Sequence, residues 1–318
     1  MVMSVEDIRK VAIVGGGVMG HGIAQVFAQR GYDVALYDID DNVLRKALSL
    51  IEFSLDSLVE HGLTTKEAKQ QALSRIKVTT HLTEAVEQAD FVTEATPEIL
   101  ELKKQVFRSI EELCAAHAII ASNTSGLSVT EMGSLCARQE NLVITHWFNP
   151  PQIIPVVELV KGLRTSQATF DCTFSLIEKL GKKPVKIMKE IPGFVANRIQ
   201  FAMFREALAL LEAGVASAED IDTAVRGSFG FRLPTIGPFE TADLGGLDVW
   251  YAIAKYLFPK IDCSTEPFCL NEKVSQGKLG AKSGEGFYKY EKGLLDAKVK
   301  ERNKQFLQRL KHLYQNQA

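Results

Sequence analysis

The run from Thr145 to Val160, THWFNPPQIIPVVELV, sets His146, Asn149 and Glu158 among apolar residues that otherwise read as buried strand. Ser125 lies twenty-one residues upstream in the polar stretch SNTSG, and Asn197 follows downstream in PGFVANR. A histidine paired with a carboxylate, with a serine and an asparagine to hold a substrate, is a set suited to moving a proton on and off a hydroxyl. Glu158 stands between Val157 and Leu159, and a carboxylate in an apolar strand needs a partner. An imidazole meets that need, and the carboxylate in return orients the ring and favours its charged form. Asn149 and two prolines come directly after His146 and fix a turn at the end of what reads as a parallel strand, where open α/β sheets bind ligands.

A proton taken from a hydroxyl implies a destination for the hydride. Gly15-Gly16-Gly17-Val18-Met19-Gly20 fits G-x-G-x-x-G, follows the β-branched strand Val11 to Val14, and opens a helix. That context is the dinucleotide fingerprint. Gly15 allows the tight turn, Gly17 lets a pyrophosphate approach the backbone, and Gly20 permits close packing of helix on strand. With Val18 and Met19 these residues form the expected phosphate-binding start of the helix. Asp38, eighteen residues past Gly20 at the end of the second strand, is placed to bind a ribose diol and to repel a 2′-phosphate. The expected cofactor is therefore NAD rather than NADP.

These residues need a scaffold, and the chain supplies one by alternating strand and helix. Strands are expected at 33–37, 76–79, 91–94, 119–122, 142–147 and 156–160. Helices are expected at about 18–30, 41–61, 65–73, 100–115 and 129–136, with Gly31 and Gly62 as stops. Alternation of this kind predicts an α/β, Rossmann-type, doubly wound and mostly parallel sheet. Beyond Pro192 the pattern turns helical, at 194–212, 218–227 and 242–257, and KEIPG supplies a break. The expected division is a dinucleotide-binding domain over residues 1–190 and an all-α domain over 191–318.

From Lys292 to Lys311 the tail carries seven Lys or Arg against two acids, with Leu295, Val299, Phe306, Leu310 and Leu313 at roughly helical spacing. We expect a helix docking on its own fold or on a neighbouring subunit. A net charge of −2 gives no reason to expect nucleic acid or a membrane surface as partner. Five scattered cysteines without CxxC spacing argue against a disulfide framework and against a zinc site, and suit a reducing cytoplasm. No histidine or carboxylate cluster suggests a metal, and no apolar run is long enough to span a bilayer. His61, His81 and His117 sit in polar stretches and read as solvated. His21 falls in the first helical turn near the phosphate site, and Asp220 and Asp222 belong to a helix start.

Through IVGGGVMGHGIAQ, SNTSGLSVTE, HWFNPPQIIPVVELV, PGFVANRI and GKLGAKSGEGFYKY, the chain resembles the 3-hydroxyacyl-CoA dehydrogenases from Val11 to Tyr290. The resemblance implies that His146 is the general base for a 3-hydroxyl, that Glu158 is its partner, and that Ser125 and Asn197 contact the substrate. It implies that Glu98 and Lys103, in EATPEILELKK, lie toward the nicotinamide ribose, with Asn123 and Asn149 also on the cofactor. It further implies a homodimer formed through the helical domain, and an acyl-CoA bound between the domains. Trp147, NPPQIIPVVELV and FGFRLPTIGPFET are similar to the branch containing L-gulonate 3-dehydrogenase (λ-crystallin) and carnitine dehydrogenase. SLVEHG replaces the lysine-rich loop found where the family holds CoA. The expected activity is NAD-dependent oxidation at C3 of a 3-hydroxyacyl-CoA. The alternatives are the same chemistry on a free 3-hydroxy acid or a non-catalytic NAD-binding protein.

Overall fold

The computed structural model describes residues 4–291 and 295–315. Lys292 and the side chain of Leu313, both part of the tail pattern, lie outside the described residues. The strands are β1 (Lys10–Val14), β2 (Asp33–Tyr37), β3 (Ile76–Thr79), β4 (Phe91–Glu94), β5 (Ile119–Ser122), β6 (Leu142–Trp147), β7 (Val156–Val160) and β8 (Lys183–Ile187). Interleaved with them are α1 (Gly20–Gln29), α2 (Asp41–Glu60), α3 (Lys66–Ser74), α4 (Leu82–Val86), α5 (Leu100–Leu113), α6 (Val129–Met132) and α7 (Gln167–Lys179).

The strands form one sheet in the order β3-β2-β1-β4-β5-β6-β7-β8. Every pairing is parallel except β6 with β7. The order reverses between β1 and β4, which makes their carboxyl ends the switch point where open sheets receive ligands. This is the expected doubly wound architecture.

Both faces of the sheet are covered, and the two-residue period of a strand assigns each side chain to a face. Val11 and Ile13 join one core with Phe27, Ile51, Phe91, Trp147, Val157 and Phe170, while Ala12 and Val14 join the other with Val92, Phe107, Ile110, Ile144, Val160 and Phe194. On β6, Leu142 and Ile144 belong to the second core, and so does Val160 on β7. By the same parity His146 and Glu158 point to that second face. So do Glu94 at the end of β4 and Ser122 at the end of β5.

The sequence reading missed α4, α7 and β8. Helix α7 is a regular element whose N-terminus is capped by Ser166, its side chain accepting from the Thr169 N–H at 3.1 Å. Strand β8, KPVKI, carries Pro184 and is only partly buried. It pairs with β7 alone, and an outer strand is where a sheet tolerates proline. The helix expected over 129–136 is α6 followed by a 3₁₀ turn at Gly133–Leu135.

Contacts divide the chain into two compact units. One runs to Asn197 and includes the chain from Arg302 onward, and the other is Arg198–Glu301. The division falls inside α8 (Ala196–Glu212). The second unit is helical, with α9 (Ala218–Gly227), α10 (Phe229–Arg232), α11 (Pro238–Gly245), α12 (Leu247–Leu257) and α13 (Phe268–Ser275). The single helix expected over 242–257 is broken between α11 and α12 at Gly246, whose φ of 88° no helix accommodates. The last element is α14 (Leu295–Gln315). Its Leu307 is buried in the first core, with Phe306 and Leu310 packed beside it. The tail therefore docks on its own sheet unit.

Candidate active site

At the carboxyl end of β1, Gly15 takes a φ of 111° and its N–H donates to Tyr37 O at 2.8 Å, closing the turn after the strand. A Cβ on Gly20 would stand 1.7 Å from Gly15 O, so α1 packs against the loop only because that residue is glycine. A Cβ on Gly17 would meet nothing, and Gly17 and Val18 are exposed. The N-terminus of α1 has no side-chain cap, which leaves its first N–H groups available to phosphate oxygens. Asp38 is fixed by two backbone donors, Gly16 N–H at 2.8 Å and Asp40 N–H at 3.1 Å. The loop, the uncapped helix and the oriented carboxylate fit a dinucleotide. His21 Nδ1–H donates to Gly17 O at 2.8 Å, and burial pushes its imidazole below the ordinary value.

The histidine and carboxylate expected to pair meet at the carboxyl edge of β6. His146 and Glu158 are cross-strand partners in the antiparallel register of β6 and β7. Both are buried, and Nδ1 stands 2.8 Å from Glu158 Oε2. A carboxylate only accepts, so Nδ1 carries the hydrogen and Nε2 keeps its lone pair. The other carboxylate oxygen, Oε1, accepts from Val195 N–H at 3.1 Å and Ala196 N–H at 2.7 Å, where α8 starts. Glu158 therefore both caps a helix and sets an imidazole tautomer. Gly193 at φ 76° and Phe194 at φ 51° turn the backbone into that start. A non-glycine residue in the left-handed region stores about 1–3 kcal/mol of strain. Phe194 is buried with its ring centroid 5.5 Å from His146, and Phe148 stands at 4.6 Å on the same ring.

The polar stretch after β5 is tied to this group. Asn197 Nδ2 donates to Ser125 O at 3.2 Å, and Trp147 N–H donates to Asn123 Oδ1 at 3.0 Å. Glu98 Oε1 accepts from Ser125 N–H at 2.9 Å and Thr124 Oγ1 at 2.5 Å. Ser125 is exposed, as is Asn149 on the loop after β6. Lys103 turns inward. It is 1% exposed, and Nζ donates to Glu94 Oε1 at 2.7 Å, Glu94 Oε2 at 2.9 Å and Thr96 O at 3.1 Å, with Glu98 at 3.5 Å.

Glu94 was absent from the sequence reading. It also accepts from Thr96 N–H at 2.6 Å and Ser122 Oγ at 2.6 Å, so one buried carboxylate joins the loops after β4 and β5. The signal that singled out Glu158, an acid in an otherwise apolar strand, was also present in FVTE. Among the described residues no group of three His, Cys, Asp or Glu side chains is placed to hold a metal.

With a glycine-loop dinucleotide site and a buried His–Glu pair on one sheet edge, the fold and site define a nucleotide-dependent dehydrogenase. Residues 10–191 match the family of the 3-hydroxyacyl-CoA dehydrogenase, NAD binding domain, and residues 193–290 match the 3-hydroxyacyl-CoA dehydrogenase, C-terminal domain. The chain belongs to the 3-hydroxyacyl-CoA dehydrogenase family, and its cofactor is NAD. It is 39% identical over 285 residues to 3-hydroxybutyryl-CoA dehydrogenase of Clostridioides difficile, covering 89% of this chain and all of that one. It is 36% identical over 285 residues to 5-formyl-3-hydroxy-2-methylpyridine 4-carboxylate 5-dehydrogenase of Mesorhizobium japonicum, covering 89% and 91%. A crystal structure of an enzyme of that latter name superposes with a TM-score of 0.88 at 34% identity, over 94% of this chain and 96% of the other. The (S)-3-hydroxybutyryl-CoA dehydrogenase of Ralstonia eutropha superposes at 0.75 with 37% identity, over 90% and 100%.

Proposed function

We propose that the protein oxidises the C3 hydroxyl of a 3-hydroxyacyl-CoA reversibly, with His146 as general base. The observation that carries this reading is the hydrogen bond from Nδ1–H to Glu158, which leaves Nε2 as the acceptor for a hydroxyl proton. Glu158 stabilises the imidazolium that then forms. Ser125 and Asn197, already in contact, hold the substrate oxygens. Gly15, Gly17, Val18, Met19 and Gly20 bind the pyrophosphate, and Asp38 binds the adenosine ribose and disfavours a 2′-phosphate. Glu98, Asn123 and Asn149 border the nicotinamide side, with Lys103 acting through its hold on Glu94 and Glu98. When bound, NAD supplies the acceptor for the hydride leaving C3.

A second reading, a compact free acid in place of the thioester, has its own support. The superposition on the pyridine carboxylate enzyme is better and takes in more of this chain than that on the acyl-CoA enzyme. The end of α2 reads SLVEHG, with an acid where bound CoA phosphates call for cations. Steady-state assays of acetoacetyl-CoA, gulonate and carnitine separate the two. The first reading expects acetoacetyl-CoA reduction with a KM that rises with salt, because exposed charges are screened over about 8–10 Å. Oxidation of a free acid with no acetoacetyl-CoA reduction would overturn the thioester and leave the mechanism standing.

We also read the protein as a homodimer through its second unit, where Phe231, Phe239, Leu244, Tyr251 and Phe258 are exposed. Five free cysteines suit a cytoplasmic setting.

A further inference from the structure

The loop between β6 and β7, residues 148–155, reads FNPPQIIP and joins the strand of His146 to the strand of Glu158. Its three prolines carry no N–H, so the segment has few donors with which to satisfy its own carbonyls. Ile153 and Ile154 N–H both donate to Pro150 O at 3.0 Å. Pro151 O and Ile154 O are served from outside the loop, by Lys182 Nζ at 2.7 Å and 2.8 Å. Lys182 is 7% exposed, and its Nζ also stands 5.9 Å from the ring of Trp147, the residue after His146. Burial, aided by the charge of Arg30, pulls its ammonium down to about 7. The two carbonyl bonds need two hydrogens, which the side chain has with or without its charge. The loop also presses on α1. A Cβ on Gly22 would stand 2.5 Å from Gln152 Oε1 and 2.7 Å from Pro151 Cγ. Pro151 is thus fixed twice, its ring by α1 and its carbonyl by Lys182.

We propose that Lys182 is a positioning residue for the reaction: by holding Pro151 and Ile154 it sets the loop that spaces His146 from Glu158 and presents Asn149. The inference rests on the reading of His146 as the base. Without those two bonds the loop's carbonyls turn toward other donors and its ends move with them. A displacement of about 1 Å at the imidazole is enough to cost a large factor in rate. Lys182 bonds the loop and not the glycine turn at Gly15–Gly20, so the hold on the cofactor's phosphates is left in place. The effect therefore falls on turnover and spares cofactor affinity.

The test compares full-length wild type, Lys182→Met, Lys182→Ala and His146→Ala on whichever of acetoacetyl-CoA, gulonate and carnitine wild type turns over. Circular dichroism checks that each variant folds. Lys182→Met keeps the length of the side chain and removes both donors. It should lower kcat at least about tenfold while the NADH dissociation constant stays within about threefold of wild type. In Lys182→Ala, n-propylamine should restore part of kcat saturably and 1-propanol should not, the amine entering by the cavity that Lys182 lines with Gln29 and Arg30. A lysine that only stabilises the fold would lower the melting temperature and leave kcat of the folded enzyme unchanged, which would overturn the proposal. So would a loss of kcat that propylamine restores no better than propanol. If neither Lys182 variant folds, Gly22→Ala pushes on Pro151 from α1 and should also lower kcat. An unchanged kcat there would overturn the proposal as well. Loss of kcat in His146→Ala with none in Lys182→Met overturns this inference alone, whereas normal kcat in His146→Ala removes the base and this inference with it.

Discussion

Glu158 has three donors to satisfy: the His146 imidazole and the N–H groups of Val195 and Ala196. In Glu158→Gln a single amide oxygen replaces two carboxylate oxygens, so either a buried donor loses its acceptor or the His146 hydrogen moves from Nδ1 to Nε2. Such a loss costs about 1–3 kcal/mol. We expect Glu158→Gln to lower both the urea midpoint and kcat, and His146→Ala to lower kcat by about 10²–10⁴ while NADH fluorescence titration stays near wild type. Near-normal kcat in a folded His146→Ala protein would exclude the base. Lys182 makes a separate, pH-linked prediction. Its folded value of about 7 lies below the ordinary 10.5, so between those values the unfolded chain binds more protons than the folded one. Stability from this group accordingly rises with pH across that window. Lys182→Met lacks the rise, so wild type should gain on it between pH 7 and 10 by on the order of 3 kcal/mol. Denaturant melts of both proteins at several pH values measure the gain, and a constant difference would contradict it.

At the scale of elements, the two-residue period and the β6–β7 register explain why His146 and Glu158 meet although twelve residues separate them. That pairing was legible, because a lone acid in VVELV and a histidine at the preceding strand end admit few other solutions. The glycine loop and Asp38 were legible for the same reason, as local motifs with one geometry. Glu94 escaped because its partners, Lys103 and Ser122, come from two other elements. Strand β8 escaped because Pro184 and its lysines mask a weak period, and only pairing with β7 makes it a strand. The loop itself can be dissected. Gly20→Ala drives a methyl into Gly15 O and should destabilise the fold by about 1–3 kcal/mol or more. Gly17→Ala meets open space, so stability should hold within about 0.5 kcal/mol. It should nevertheless weaken NADH at least tenfold, or about 1.4 kcal/mol, by occupying the pyrophosphate path. Thermal melts with NADH titrations separate the two effects, and equal behaviour of the two variants would contradict this division of roles.

For the molecule as a whole, the tail is part of the fold. Leu307 is 3% exposed and belongs to the same core as Phe27 and Phe170, so the sheet unit is completed by chain that lies about a hundred residues beyond α8. The basic, amphipathic pattern foretold a docked helix, but periodicity names no docking surface, and the place of Leu307 in the first core appears only in three dimensions. Leu307→Ala should cost about 2–5 kcal/mol, as buried leucines do, with little change in KM for NAD. An unchanged melting temperature would show that the helix contributes nothing to the unit it covers.

The carboxylate shared between a helix start and an imidazole also makes the His146–Glu158 pairing visible to isotope exchange. Whenever the first turn of α8 opens, Val195 and Ala196 lose their acceptor, and the ring loses the neighbour that holds its tautomer. Protection of those two amides against deuterium then measures the fraction of molecules in which Glu158 holds the His146 ring. Amide exchange at Val195 and Ala196 should rise in Glu158→Gln in step with its fall in kcat. Variants that slow turnover through the loop between β6 and β7 should move the same two amides before any others in α8.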